Sequence, residues 1–291
     1  MRIAIASGKG GTGKTFVSTN LFWVAQQAGM SVTLTDCDAE EPNVREFIDG
    51  QETDRQTVTQ HIPVIDTDKC IFCGKCFDYC SYHAIVYLPM ASFIKAVHEL
   101  CHDCGACSLM CETGAITEEI KPLGTITTWQ VSPHAKMVEL CAEVGVYTPV
   151  PIIKKALKNQ IETGLSIYDS PPGISCSLIA TVDQSDYVVL VTEPTPFGLN
   201  DLKLTVETIQ EMHKPFGVIV NRAGLGDNEL YQWLKQHNIP ILMEIPFDRE
   251  IARIYSEGRI LSSENESYRK QFSDLLSTLT GAELAKTNTP A

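Results

Sequence analysis

The sequence has few basic residues and no long apolar run. Its 291 residues include 36 Asp and Glu against 23 Lys and Arg, a formal net charge of -13, and no block of basic residues stands out. An acidic chain without a basic patch argues against nucleic acid or anionic lipid as the main partner. No apolar run approaches the roughly 18 residues that a membrane-spanning helix needs. We therefore expect neither nucleic acid nor a membrane as partner.

The first residues also lack the features of a secretory signal. The segment MRIAIASGKGG has neither an apolar core nor a cleavage site, so we expect a cytoplasmic protein. In that compartment the 11 cysteines are better explained as metal ligands or redox groups than as disulfides. The length suits one large domain and a small one.

A glycine-rich stretch follows the first apolar run. The run IAIA predicts a strand, GKGGTGKT follows it, and FVSTNLFWVAQQAG then predicts a helix. This order fits G-x-x-x-x-G-K-[ST], whose backbone N–H groups and helix N-terminus bind phosphate oxygens. We expect Lys14 to reach the β- and γ-phosphates and Thr15 to bind Mg²⁺. The residues predicted to hold the nucleotide here are Gly8, Lys9, Gly10, Gly11, Thr12, Gly13, Lys14 and Thr15.

The extra lysine, Lys9, gives this loop a resemblance to the deviant Walker A group. That group includes the MinD and ParA ATPases and the nitrogenase iron protein. In it, this lysine reaches across a dimer interface to the partner's nucleotide. The resemblance implies ATP between two face-to-face subunits, as a homodimer or a paralogue heterodimer. The alternative is a lysine that is simply solvated.

Two acidic segments match the same family in order. In SVTLTDCDAEEPN, Asp38 resembles the switch I aspartate that positions the attacking water, and Asp36 lies nearer the Mg²⁺ shell. The segment LSIYDSPPG resembles a Walker B and switch II segment. The resemblance implies that Asp169 holds Mg²⁺ through water and that Gly173 offers a backbone N–H to the γ-phosphate. It assigns the catalytic roles to Lys9, Lys14 and Asp38.

Later segments resemble the family's base-binding elements. Asn221, in FGVIVNR, matches its adenine-reading asparagine, and Pro246 and Asp248 fall in the loop that often lines the base. The alternation of strands and helices predicts an α/β fold with a mainly parallel, doubly wound P-loop NTPase sheet. In such a sheet, ligands bind at the carboxyl ends of the strands. We assign residues 1–60 and 120–291 to this ATPase domain and residues 61–119 to a small inserted α+β domain.

The predicted insert contains an internal repeat of C-x₂-C-x₂-C-x₃-C. It resembles a bacterial two-cluster ferredoxin with two [4Fe–4S] centres, in which the fourth cysteine of each run ligates the other cluster. The first cluster is thereby assigned Cys70, Cys73, Cys76 and Cys111. The second is assigned Cys101, Cys104, Cys107 and Cys80. Structural zinc is the alternative, but zinc prefers pairs of C-x₂-C separated by a wider gap.

Two further cysteines stand in contexts that resemble the nitrogenase iron protein. Cys141 begins CAEVGV, and Cys176 follows the predicted switch II aspartate in DSPPGISC. In the iron protein, two subunits each give both cysteines to one [4Fe–4S] cluster on the dimer axis. The resemblance implies a third, dimer-bridging cluster here. The alternative is a pair of buried thiols.

Three functions compete on these features. The favoured one is a MgATP-hydrolysing iron–sulfur protein that couples nucleotide state at a dimer interface to electron transfer through two [4Fe–4S] clusters. Its expected partner is a redox or metal-cofactor protein. The alternative is an ATPase for iron–sulfur or metal-cofactor maturation or transport. A positioning ATPase for cell division or partition is third, because the C-terminal helix that would anchor it has only Arg269 and Lys270 as basic residues.

Overall fold

A computed structural model describes residues 1–158, 164–226 and 228–287. The chain divides into two compact units. The first comprises Met1–Gln56, Thr125–Cys141 and Pro149–Ala291, and the second comprises Thr57–Gly124 and Ala142–Thr148. The predicted insert, 61–119, falls inside the longer stretch of the second unit.

The elements have the following bounds. The strands are β1 (Arg2–Ala6), β2 (Val32–Asp36), β3 (Gln51–Ile65), β4 (Ile85–Leu88), β5 (Phe93–Ala96), β6 (Ile116–Ser132), β7 (Ala135–Ala142), β8 (Leu165–Asp169), β9 (Tyr187–Thr192), β10 (Phe216–Ala223) and β11 (Ile241–Pro246). The helices are α1 (Lys14–Gln27), α2 (Lys75–Asp78), α3 (Ala106–Leu109), α4 (Val150–Lys158), α5 (Cys176–Asp183), α6 (Pro196–Glu211), α7 (Glu229–Gln236), α8 (Arg249–Ser256), α9 (Leu261–Glu264) and α10 (Glu266–Thr287).

Within the described residues, nine strands form one sheet in the order β11-β10-β9-β1-β8-β2-β7-β6-β3. From β11 to β7 each neighbouring pair is parallel. The central strands β1 and β8 are almost fully buried, as expected for parallel strands covered on both faces. The predicted α/β fold with a mainly parallel sheet is confirmed. Because the strands are parallel, the loops after β1, β2, β8 and β9 meet at one edge of the sheet.

The C-terminal helix belongs to the core of the first unit. Phe272 of α10 is fully buried and meets the ring of Phe16 from α1 edge-on, with ring centroids 6.1 Å apart. Leu275, Leu276 and Leu279 are buried in the same cluster. These apolar side chains of the helix considered as an anchor are therefore covered by protein. Within the described ranges, we find no helix with both the length and the apolarity to cross a membrane.

The second unit contains a hairpin and two short helices. Strands β4 and β5 pair antiparallel, with Ile85 opposite Ala96. Helix α2 begins after Gly74 and α3 after Gly105, and both glycines have left-handed φ angles of 79° and 67°. The repeat in the sequence therefore folds as a structural repeat, in which each cysteine run enters a short helix through a glycine.

Candidate nucleotide and iron–sulfur sites

The phosphate loop connects β1 to α1 as the motif predicts. Gly13 precedes the helix with a φ of 102°, and Lys14 is the first helical residue. Gly8 is required by packing, because a Cβ there would lie 2.6 Å from the carbonyl oxygen of Asp201. A Cβ at Gly10 would meet its nearest atom, on Pro172, at 3.9 Å. The glycines of this loop thus serve different needs, namely close packing at Gly8 and a positive φ at Gly13.

Thr15 and Asp169, both predicted at the magnesium site, lie together. The Thr15 hydroxyl donates to Oδ2 of Asp169 at 2.7 Å. The other carboxylate oxygen, Oδ1, is buried and has no hydrogen-bond partner among the described residues. A buried, unpaired carboxylate oxygen is costly unless a further group binds it. Hydroxyl and carboxylate oxygens are ligands that Mg²⁺ prefers, so these residues fit the predicted ion.

Asp36 is level with Asp169 on the neighbouring strand. Its Oδ2 accepts the backbone N–H groups of Asn43 at 2.8 Å and Val44 at 2.9 Å, and its Oδ1 accepts that of Asp38 at 3.2 Å. The carboxylate therefore holds the loop after β2 against the strand end. This positioning role was not anticipated from the sequence, and the role at Mg²⁺ stays a prediction.

Burial sets the electrostatics of this site. It raises the pKa of Asp36, and the charge of Asp169 raises it further. Burial likewise raises the pKa of Asp169, although the Thr15 hydroxyl and Lys14 oppose it. Burial lowers the pKa of the Lys14 amine against the opposing effect of these carboxylates. The site therefore favours the binding of a cation that stabilises its ionised carboxylates.

The predicted water-positioning residue, Asp38, lies in the same charged group. Its side chain is half-buried after β2, and burial raises the pKa of its carboxyl. Contact with the backbone of Glu41 and the charge of Lys14 both act in the opposite direction. Asp38 is thus close enough to Lys14 for that charge to lower its pKa, and its role in positioning water stays a prediction.

The remaining residues predicted to bind the nucleotide form hydrogen bonds within the chain. The N–H of Gly173 donates to the carbonyl of Ser7 at 3.2 Å, and its φ is 78°. The Asn221 amide donates to the carbonyl of Thr12 at 2.8 Å. Pro246 ends β11, and Asp248 caps α8 by accepting the N–H of Glu250 at 2.7 Å. Gly173 and Asn221 therefore bind the phosphate loop, and their roles at phosphate and adenine stay predictions.

An acidic residue that the sequence analysis missed lies beside the loop. Glu193 follows β9, has a side chain only 9% exposed, and forms an ion pair with Lys9. Its second oxygen accepts from Arg222 Nη1 at 2.8 Å, while Nη2 of Arg222 donates to the carbonyl of Gly11 at 3.3 Å. No local motif marks Glu193. The signal available was an acidic residue directly after a buried strand, where the predicted sheet ends.

The eight cysteines of the repeat divide between two pockets of the second unit. The first pocket is lined by Cys70, Cys73, Cys76 and Cys111. The second is lined by Cys80, Cys101, Cys104 and Cys107. Each group contains three cysteines of one run and the fourth of the other, as the ferredoxin resemblance implies.

The surroundings of these thiols suit an iron–sulfur cluster. The N–H of Phe72 donates to Cys70 Sγ at 3.4 Å, and the N–H of Ala84 donates to Cys80 Sγ at 3.2 Å. Such bonds stabilise thiolate charge and tune cluster potentials. Within the described ranges, no three His, Cys, Asp or Glu side chains converge on one metal ion. Four cysteines line each pocket, one for each iron of a [4Fe–4S] cluster, so these residues fit the predicted clusters.

Cys141 and Cys176 both belong to the first unit. Cys141 lies near the end of β7 and Cys176 is the first residue of α5, and both are exposed. They are therefore not the buried thiols that the sequence left as an alternative. Exposed thiols are accessible to a metal or a second subunit, and the bridging cluster stays a prediction.

Most of the chain matches one known protein family. Residues 3–261 match the CobQ/CobB/MinD/ParA nucleotide binding domain. The chain belongs to this family. It is therefore a P-loop ATPase, and the resemblance drawn from Lys9 and the loop is confirmed.

Individual proteins agree with the assignment. An uncharacterized protein of Methanocaldococcus jannaschii is 32% identical over 93% of this chain and 96% of its own. An iron-sulfur cluster carrier protein of Aquifex aeolicus is 23% identical over 98% of this chain and 69% of its own. An uncharacterized ferredoxin of M. jannaschii is 32% identical over 20% of this chain and 80% of its own. Of these relatives, one is named as an iron-sulfur cluster carrier and matches most of the chain, and one is named as a ferredoxin and matches a fifth of it.

A solved structure supports the fold. The septum site-determining protein MinD of Pyrococcus horikoshii, complexed with Mg-ADP, aligns over 100% of this chain and 99% of its own, with a TM-score of 0.61 and 17% identity. At 17% identity, this similarity shows a shared fold alone.

Proposed function

We propose that this ATPase couples its nucleotide state, at an interface between two chains, to electron transfer through two [4Fe–4S] clusters. The observation that carries the proposal is the division of eight cysteines into two four-cysteine pockets within a P-loop ATPase. A cluster pair held by all eight thiolates is a resident redox group, which nucleotide binding alone does not require.

The ATPase half has the groups that in-line phosphoryl transfer needs. Lys14 and the loop N–H groups neutralise the phosphates, Thr15 and Asp169 hold Mg²⁺, and Asp38 orients the attacking water. Water attacks the γ-phosphorus as the bond to the β-phosphate oxygen breaks, which yields ADP and inorganic phosphate. Lys9 completes the site across the interface.

The position of the insert in the chain supports coupling. The cysteine repeat lies in sequence between the segment of Asp38 and that of Asp169, the two segments predicted to respond to the γ-phosphate. When bound, the clusters supply one-electron redox chemistry. The cysteines hold them, and the N–H groups of Phe72 and Ala84 stabilise the thiolate charge. Because nucleotides change such switch segments, an insert that lies between them in the sequence can follow the nucleotide state.

Linkage gives a direct test of this coupling. If nucleotide state and cluster redox state are coupled, each must change the equilibrium of the other by the same factor. We expect the midpoint potential of at least one cluster to differ by about 60 mV or more between Mg-ADP and a non-hydrolysable MgATP analogue, a tenfold linkage for one electron. Anaerobic redox titration with EPR detection measures it.

The control is Lys14→Met, in which the difference should disappear because the γ-phosphate loses its main cation. Identical potentials in both nucleotide states of the wild-type protein, with nucleotide shown to be bound, would reject coupling.

A second candidate function is iron–sulfur cluster delivery. It is favoured by the exposure of Cys141 and Cys176 and by the similarity to a protein named as an iron-sulfur cluster carrier. In this case two chains share an additional, transferable cluster as cargo, held by Cys141 and Cys176 of each chain.

Iron analysis separates the two candidates. The resident clusters alone correspond to about eight irons per chain, and one further cube shared by two chains raises this to about ten. We expect about eight from anaerobically purified protein, unchanged in the Cys141→Ala/Cys176→Ala variant. About ten irons, falling to about eight in that variant, would establish the carrier site instead.

A further inference from the structure

Glu193 binds the loop lysine that distinguishes this ATPase from other P-loop proteins. Strands β1 and β9 are parallel neighbours, so the loops that follow them leave the sheet side by side. Lys9 is in the first loop and Glu193 begins the second. Their ion pair joins residues 184 positions apart in the chain. The Lys9 side chain is 31% exposed, whereas the side chain of its partner Glu193 is nearly buried.

The backbone around Glu193 is built to fix this side chain. The carbonyl of Glu193 accepts the N–H of Thr195 at 2.8 Å, and the Thr195 hydroxyl caps α6 by accepting the N–H of Gly198 at 3.0 Å. A Cβ at position 198 would lie 3.1 Å from Cγ of Glu193 and still closer to its carbonyl oxygen. A glycine at 198 therefore leaves room for Glu193, which a larger residue would displace.

Glu193 also has a second cation, and this makes Lys9 exchangeable. Each carboxylate oxygen has its own partner, Oε1 with Lys9 and Oε2 with Arg222. Removing the only partner of a buried charge is strongly unfavourable. If Lys9 leaves, however, Glu193 keeps Arg222, which is itself attached to the loop at Gly11. The carboxylate can therefore release Lys9 without becoming an unpaired buried charge.

We propose that Glu193 is a positioning residue that holds Lys9 within a single chain. Pairing of two ATP-bound chains then requires Lys9 to exchange this carboxylate for a phosphate of the partner's nucleotide. The inference rests on the proposed function, because it assumes ATP-dependent pairing. By holding Lys9, Glu193 makes the pairing of two chains less favourable unless ATP is bound. ATP supplies the γ-phosphate that competes for the lysine, whereas ADP leaves Lys9 with Glu193.

The test compares Glu193→Gln with wild type. Glutamine keeps the shape and can still accept from Arg222, but it lacks the charge that retains Lys9. We expect Lys9 to react at least about three times faster with an amine-reactive ester, measured by mass spectrometry on the single chain with Mg-ADP. With a non-hydrolysable MgATP analogue bound, we expect two chains of the variant to pair at about tenfold lower protein concentration than two wild-type chains, as measured by sedimentation. This corresponds to a free energy of pairing that is more favourable by about 1.4 kcal/mol. The Kd for Mg-ADP should not change.

Two control variants accompany it. Asp186→Asn removes the ion pair with Arg2 at the opposite end of β9, and should change neither Lys9 reactivity nor pairing. Glu193→Asp keeps the charge on a shorter side chain, and should restore much of the protection of Lys9.

Each outcome is decisive. Unchanged Lys9 reactivity in Glu193→Gln overturns the proposal. Faster reaction together with weaker pairing or lost Mg-ADP binding shows that Glu193 only supports the loop, and also overturns it. Faster reaction with no pairing in any variant, wild type included, rejects ATP-dependent pairing itself. In that case the contact between Glu193 and Lys9 stands but the exchange does not.

Discussion

Replacing Lys14 by methionine should reduce ATP hydrolysis by at least about a thousandfold, since a single preorganised donor to a developing charge is already worth 10²–10³. Lys14 is buried at the first turn of α1, where its amine is close to the three aspartates of the site. It is the cation predicted to reach the β- and γ-phosphates, and a buried charge acts more strongly on a neighbouring charge than an exposed one does. Steady-state phosphate release, with the clusters intact, measures the effect.

Methionine is chosen because it preserves the volume of the lysine stem at a buried position. The variant should therefore still fold and keep its iron, which thermal unfolding and iron analysis verify. Lys154→Ala, an exposed position on α4, serves as the matched control and should hydrolyse ATP at the wild-type rate. If Lys14→Met retains a tenth or more of the wild-type rate, the assignment of Lys14 to the phosphates is wrong.

Two double cysteine variants should show that each cluster takes its fourth ligand from the cysteine run of the other cluster. In the structure Cys80 lines the pocket of Cys101, Cys104 and Cys107 rather than that of its own run. The variant Cys80→Ala/Cys101→Ala should therefore damage one cluster and leave about four irons per chain. The variant Cys80→Ala/Cys70→Ala should damage both and leave almost none. Iron and acid-labile sulfide, measured on anaerobic protein, give the counts.

The two variants remove the same number of cysteines, so each is the control of the other. If each run held its own cluster, the results would be reversed, and Cys80→Ala/Cys70→Ala would retain about four irons. Binding of about two zinc ions per chain, without sulfide, would reject both arrangements in favour of structural zinc.

Several features of this protein could be predicted because they are local. The phosphate loop is a contiguous run whose Gly11 and Gly13 adopt positive φ angles within the loop itself. The cysteine runs place three thiols within a few residues, so their spacing alone indicates the type of cluster. The order of buried strands and amphipathic helices likewise predicted the parallel sheet, because the spacing of apolar residues within a segment identifies that segment as a strand or a helix.

The long strands β3 and β6 were not predicted. The first half of β3 is exposed on both faces, so its sequence lacks the alternation by which a half-buried strand is recognised. The exposure of Cys141 and Cys176 could not be predicted from the sequence either, because a cysteine's neighbours along the chain do not show whether another element covers it.

The sequence by itself determined the family, the nucleotide loop and the two cysteine runs, because residues close in the chain specify each of them. Only the tertiary structure decided what the loop residues contact. Lys9 meets Glu193 because β1 pairs with β9, and Asn221 meets Thr12 across 209 positions of the chain. Such partners follow from the order of strands in the sheet. That order is fixed by how all the strands and helices bury their apolar faces together, which no single segment reveals.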